Sequence, residues 1–390
     1  MKNHRTITKY DILSMLKQNE EDCILTEQMR MSRNESYNPC PNGWNRHDFY
    51  REVFSDEYID GFLMSYPHGR VIKQAERSFH YRGENQIFKS SKATLYRKLN
   101  EIDDKEKALV EEFVAYMRIA DFLWLLLNFE HTQAFISLQL SLNDNLFGVD
   151  LLYEQLAQHY GFETTWLDLT SDFEVALFFA CCKFNNKTQK WEPLTKNDFN
   201  KSQETKFGVI FRRASNHPNN FILSDSHSLE ILPIGFQPFM RCHMQNSYVA
   251  KMNKSSCLQE EHSFETLKFR HNEKLCNFIY AKMEGGKKIY PSEGLIFVLD
   301  DIEAIKKKEV FTLETFEYAL EEPQFKSYSK ELLKQLIVNY GYKIINASNY
   351  IPKEKIELVN NQYVDFDIEK TYNMKLSTRL CFVPTEKEIK

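Results

Sequence analysis

Glycine and proline are scarce, at 12 and 11 residues in a chain of 390. That excludes collagen-like and low-complexity chains. Long apolar runs are missing as well. The greasiest, Phe122 to Leu127, is six residues long and lies between Asp121 and Asn128. A membrane span needs about 20 apolar residues, so this run is expected to be a buried helix, with no membrane partner. Met1 to Arg5 leads into a mixed polar stretch without the apolar segment of a secretory leader, and a cytoplasmic location is expected. None of the eight cysteines forms a Cys-x-x-Cys pair and no histidines stand at zinc spacing, so no metal is expected. Adjacent Cys181 and Cys182 fall in an apolar stretch, where cysteine acts as a small hydrophobe. A surplus of basic residues is also lacking. The formal net charge of -5 does not suggest a polyanion binder, although a local basic face stays open.

Hydrophobic residues make up 42% and aromatics 14%, enough for a large packed interior. Tyr10, Leu13 and Leu16 recur at helical spacing, Asn38 to Gly43 is a turn cluster, and Phe49 to Met64 resumes an aromatic-rich amphipathic pattern. A strand ending in Tyr81-Arg82-Gly83 follows. A long helix is predicted over Lys105 to Phe129 and a shorter one over Leu151 to Tyr160, stopped by Gly161. Thr164 to Thr170 reads as a strand. Ser171 or Asp172 caps an apolar helix running from Phe173 to Phe184. Further strands are expected at Phe207 to Phe211, Leu229 to Leu232, Tyr248 to Lys251 and Gly294 to Leu299, and helices at Thr312 to Leu320 and Tyr328 to Tyr340. Residues 185–205 and 253–275 read as polar loops or insertions. The fold class is therefore α+β, a mixed or antiparallel sheet with packed helices.

Three segments carry a resemblance. They are Tyr81-Arg82-Gly83-Glu84-Asn85-Gln86; Leu156 to Ser171 continuing into Ala176-Leu177-Phe178-Phe179-Ala180; and, more weakly, Arg241, Gln245 and Ser247-Tyr248-Val249. Together they resemble the FRG family, named for its Phe/Tyr-Arg-Gly motif, over roughly residues 70–300. Where that family usually shows Pro-Thr-Arg-Leu-Leu-Asp, this chain has Glu163-Thr164-Thr165-Trp166-Leu167-Asp168. The organisation expected is a helical lead-in (1–70), an FRG domain (71–300) and a C-terminal α/β extension (301–390). FRG domains in turn look like distant relatives of the ADP-ribosyltransferase fold, which implies an ADP-ribosyltransferase-like core and NAD as substrate.

On that resemblance the catalytic candidates are Arg82, His159, Asp168 and Gln245, and the NAD-binding candidates are Tyr81, Arg82, Gly83, Tyr160, Thr170 and Ser171. Each has a plainer reading. Arg82 could fork onto a pyrophosphate while Gly83 lets the backbone approach, or it could simply pair with Glu84. His159 could bind a ribose hydroxyl or orient Asp168, or cap its helix. Tyr160 reads more naturally as core than as a ring stacked on nicotinamide. Asp168, a carboxylate in an apolar strand, needs either a ligand or a partner in Arg82 or His159. Thr170 and Ser171 could line a pocket or only cap the next helix. Gln245 can hydrogen-bond a ribose but cannot act as a base; Glu84, Glu230, Glu284 and Glu293 are unranked alternatives for a glutamate there. Lys306 to Lys308 reads as a solvated helix end.

The function implied is transfer of ADP-ribose to a macromolecular acceptor, protein or nucleic acid, in a toxin or anti-phage effector. A regulatory protein partner stays open. Two alternatives stand beside it: a nucleotide- or partner-binding module without turnover, and an NAD glycohydrolase.

Overall fold

The computed structural model describes residues 5–34, 61–66, 69–74, 78–136, 139–142, 145–149, 151–185, 187–214, 229, 231–234, 237–239, 241–291, 294–347, 351–362 and 381–384. Its centre is a seven-stranded sheet built from β1 (Arg5–Thr6), β2 (Phe79–Glu84), β3 (Trp166–Thr170), β4 (Phe207–Ala214), β5 (Ile231–Pro233), β6 (Ser247–Lys251) and β7 (Glu265–Arg270). The spatial order is β1-β7-β4-β2-β3-β6-β5. Only β1 and β7 run parallel; the other pairs are antiparallel. The α+β class therefore holds, with a mostly antiparallel sheet.

Alternation along the strands separates the two faces. Ile210, Leu267 and Phe269 pack with helices α1 (Lys9–Asn34), α4 (Phe173–Cys181) and α5 (Glu273–Lys282). Val209 and Phe211 point to the opposite face and join Leu167, Leu169 and Tyr248 in a separate cluster. Helix α4 has nine residues, too few to be stable alone. Asp172 caps it by accepting from the Glu174 amide at 2.8 Å. Phe173, Ala176, Phe178 and Ala180 are completely buried. Each buried phenylalanine contributes about 1.5–3 kcal/mol, so packing holds this helix in place.

Helix α2 (Lys105–Leu127) connects two further cores. Its first half packs through Val110, Phe113 and Met117 against C-terminal helices α7 (Leu313–Leu320) and α8 (Lys330–Asn339). Its second half packs through Phe122, Leu125 and Leu126 against α3 (Tyr153–His159) and α6 (Leu299–Lys306). Lys308 reaches into the protein to pair with buried Asp121 at 2.6 Å. Lys306 pairs with Glu303 and donates to the Tyr160 carbonyl at 3.1 Å. Lys306 and Lys308 therefore tie segments together, while Lys307 is the exposed helix end that was expected.

Four local expectations change. The apolar run after Asp172 is helical only as far as Cys181; Cys182–Asn185 forms a hairpin with Lys190–Pro193, where Phe184 meets Trp191. Gly294–Val298 is a 3-10 turn leading into α6, not a strand. Leu295 and Val298 are buried while Ile296 and Phe297 are exposed, which is the three-residue period of that helix. The stretch 253–275, read as a loop, contains β7, and Lys190–Pro193 lies within 185–205. The lead-in contains α1, but Gly61–Tyr66 is a strand of a second, five-stranded sheet with Gly69–Gln74, Cys381–Pro384, Asn145–Val149 and Gln139–Leu142. The turn cluster at 38–43 and residues 49–60 lie outside the described residues. Among the described residues, no helix is long and apolar enough to cross a membrane.

Candidate functional site

Strands β2 and β3 are registered at one pair, Tyr81 opposite Thr170. Beside it, a side chain connects the two strands. Arg82 Nη1 donates to the Asp168 carbonyl at 2.9 Å, and its Nε donates to Glu84 Oε1 at 2.9 Å. Glu84 is buried and also accepts from Ser91 Oγ at 2.7 Å. The plainer reading of Arg82, an ion pair with Glu84, is thus present in the structure. The same guanidinium still borders open space, because a cavity of about 330 Å³ lies against it.

That cavity collects most of the candidates. Tyr81, Arg82 and Gly83 come from β2, His159 from the end of α3, and Asp168 and Thr170 from β3. Gln245 comes from the turn before β6. Tyr290, Gln158, Val175 and Phe179 are also part of the wall. His159 Nε2 lies 3.6 Å from Asp168 Oδ1, and neither atom makes a hydrogen bond among the described residues. Burial pushes the His159 pKa below its ordinary value. Asp168 and the Gln245 side chain oppose the shift and Arg241 adds to it. The imidazole is therefore neutral near pH 7.

Arg241 fixes this end of the site without lining the cavity. Its Nη1 donates to the His159 carbonyl at 2.7 Å and so caps α3. Its guanidinium lies over the Tyr160 ring at 4.1 Å and the Tyr290 ring at 5.0 Å. Burial raises the Tyr290 hydroxyl pKa, so this phenol stays protonated.

Other candidates are already engaged. The Thr170 hydroxyl donates to the Gln245 carbonyl at 2.6 Å and accepts from the Asp172 amide at 2.9 Å. Gln245 Nε2 donates to the Ile289 carbonyl at 3.1 Å. Gly83 has a packing reason for its identity: a Cβ there would sit 1.7 Å from the Ala176 carbonyl oxygen in α4. The Gly83 backbone approaches a helix, whatever else it approaches.

Tyr160 and Ser171 lie outside the cavity. Tyr160 is buried in the core against Phe122, with Arg241 on its ring, because Gly161 at φ +81° turns the chain away from α3 there. Ser171 is buried, and its amide donates to the Asn246 carbonyl at 3.1 Å. Of the alternative glutamates, Glu84 faces a neighbouring cavity. Glu284 pairs at the surface with Lys288, and Glu230 and Glu293 lie outside the described residues. Among the described residues, Asp168 is thus the carboxylate lining the main cavity. Tyr290 had no usable signal: it follows a Gly-Gly-Lys-Lys turn with no periodic pattern.

No curated protein and no solved structure matched the chain. A family model did match, over a narrower span than the resemblance suggested and without Gln245 or Tyr290. Residues 77–189, which supply Arg82, His159 and Asp168, match the FRG domain.

Proposed function

We propose that this chain is an NAD-dependent, ADP-ribosyltransferase-like enzyme that modifies a macromolecule. The observation that carries the reading is the convergence of Arg82, His159, Asp168 and Gln245 on one cavity. Two buried polar atoms there, His159 Nε2 and Asp168 Oδ1, have no hydrogen-bond partner among the described residues. Buried polar atoms in native proteins are almost always satisfied, so two facing atoms without hydrogen bonds at a cavity wall suit a hydroxyl-bearing ligand. NAD supplies a ribosyl carbon whose bond to nicotinamide breaks, the electron pair leaving with the nicotinamide.

Each residue then has a distinct task. Arg82, held by Glu84 and the Asp168 carbonyl, presents a fixed cation for a phosphate. The Asp168 carboxylate opposes positive charge developing on the sugar, the role for which a glutamate was sought. Neutral His159 accepts the proton that the acceptor nucleophile loses. Gln245 and Thr170 hold β3, β6 and the Ile289–Tyr290 segment in register around the cavity. With water in place of the acceptor, the same arrangement gives an NAD glycohydrolase. A toxin or anti-phage role rests on the family resemblance alone.

The second reading, a binding module without turnover, is favoured by one observation: a glutamine, Gln245, donating to a backbone carbonyl, stands where the resembled transferases need a glutamate. Labelled NAD incubated with the protein and a cell lysate separates the readings. Transfer predicts free nicotinamide in step with label on protein, RNA or DNA, lost in Asp168→Asn. Hydrolysis predicts nicotinamide without macromolecular label. No nicotinamide above the buffer blank, from folded protein with a full lysate, sinks both enzyme readings.

A further inference from the structure

Across Arg82 from the main cavity lies a second one, of about 210 Å³. Arg82, Gly83 and Phe179 form the wall common to both. The two differ in charge. Four cations line the second cavity, Arg82, Lys92, Arg97 and Lys183, against one carboxylate, Glu84. The whole chain carries a net charge of -5, so this cluster does not reflect a generally basic surface.

Two of the four cations have acidic partners. Glu84 takes Arg82, and Asp198 takes Lys183 at 2.6 Å. Neither of the other two makes a salt bridge among the described residues, although Glu84 also attracts Arg97. Lys92 Nζ donates to the Lys254 carbonyl at 3.4 Å, and Arg97 Nη2 donates to Thr94 Oγ1 at 3.3 Å. Arg82 and Arg97 are also close enough to repel each other. Partial burial, and then the charge of Arg82, holds the Arg97 guanidinium below its ordinary pKa, with Glu84 opposing the shift. A multivalent anion between these groups would relieve that repulsion and engage both guanidinium forks. The remaining wall is aromatic. Phe184 is 43% exposed and meets Trp191 with ring centroids 5.5 Å apart. The exposed Phe184 ring, backed by half-buried Trp191, provides a stacking surface for a nucleobase beside the anion site.

We propose that this second cavity binds a nucleoside diphosphate, with its phosphates on Arg82, Lys92 and Arg97 and its base against Phe184 and Trp191. The inference rests on the NAD reading in one respect. It seats the adenosine diphosphate end of the dinucleotide here and leaves the main cavity, with His159 and Asp168, for the nicotinamide end.

Calorimetric titration with ADP, adenosine and inorganic pyrophosphate tests it on the full chain. ADP should bind. Pyrophosphate should bind more weakly, and adenosine alone most weakly. Arg97→Gln, at an exposed position that leaves the core intact, should weaken ADP about tenfold or more. Phe184→Ala should weaken ADP while leaving pyrophosphate unchanged. Asp168→Asn should leave ADP affinity within twofold. Absence of ADP binding at millimolar concentration overturns the inference, as does an Arg97→Gln affinity within twofold of the parent. The two proposals fail separately. ADP binding lost in Arg97→Gln without nicotinamide release keeps this cavity and removes the enzyme. Nicotinamide release that ADP does not inhibit keeps the enzyme and removes this cavity.

Discussion

His159 Nε2 and Asp168 Oδ1 face each other at 3.6 Å in a cavity wall, one at the end of α3 and the other in the middle of β3. They belong to an arrangement in which β3 delivers two different groups. The Asp168 carbonyl receives Arg82 from β2, and the Asp168 carboxylate faces the histidine. A shift of β3 by one residue would turn its side chains to the opposite faces and break both contacts together.

The histidine gives a pH-dependent stability with a definite sign. Burial holds the His159 pKa below its ordinary value of about 6.5 in the folded protein. As pH falls through about 6.5 the unfolded chain binds the proton first, so the folded state loses stability until its own, lower pKa is reached. The loss is at most about 1.4 kcal/mol per pH unit for one such group. Urea midpoints measured from pH 7.5 to pH 5 should fall with pH, and His159→Gln should flatten the profile. Buried His271 shifts in the same direction, so some slope should remain in the variant. A slope unchanged by His159→Gln would contradict this environment for the imidazole.

Gly83→Ala tests the close approach of β2 to α4. The added methyl would lie 1.7 Å from the Ala176 carbonyl oxygen, and a helix backbone cannot yield as a flexible side chain can. The cost should reach the upper end for overpacking, about 3 kcal/mol. Because Val175 and Phe179 on α4 line the main cavity, ligand affinity should fall with stability. A loss below about 1 kcal/mol in chemical denaturation would mean that the two backbones are not in contact.

How much of this was legible beforehand follows from the kind of information each element carries. The segment from α3 to α4 was legible because Gly161, the β-forming residues before Thr170 and the cap Asp172 are local signals that agree with one another. The convergence on one cavity was legible only through the family motif, since nothing local brings Arg82 beside Asp168. Strand β7 was missed because Leu267 and Phe269 alternate inside a polar stretch and gain their meaning from pairing with β4. The limit of α4 at Cys181 was missed because an apolar run reads alike as buried helix or buried strand. Long-range hydrogen bonds such as Gln245 to the Ile289 carbonyl leave no sequence pattern. That is why Gln245 looked like a ribose ligand and Tyr290 did not appear among the candidates.

Gln245→Glu now has the opposite expected sign to the one its place in the motif suggests. The substitution removes the donor to the Ile289 carbonyl and leaves that carbonyl facing a carboxylate. It also adds negative charge beside His159. Stability should fall by about 1–3 kcal/mol. The His159 resonance, followed by NMR, should titrate at higher pH than in the parent. Turnover, where present, should fall. Unaltered stability together with raised turnover would return Gln245 to the role of a ribose-binding residue.

Arg82 must be tested against its own structural partner. Arg82→Ala removes the donor to the Asp168 carbonyl and leaves Glu84, 6% exposed, with Ser91 as its remaining partner in the described bonds. A buried carboxylate stripped of its cation is costly, so the single variant should lose about 3 kcal/mol and its NAD affinity together. That result alone would not separate binding from folding. Adding Glu84→Gln removes the stranded charge, and the double variant should recover most of the lost stability. NAD affinity should not recover, because the fixed cation is still absent. It should remain ten- to a hundredfold below the parent, as expected for loss of charged hydrogen bonds worth about 1.5–3 kcal/mol. Arg82→Lys should fall between, retaining charge without the fork that reaches Glu84 and the Asp168 carbonyl at once. A double variant that regained both stability and NAD affinity would show that Arg82 only neutralises Glu84, and the phosphate contact would then have to be sought among Lys92 and Arg97 on the far wall.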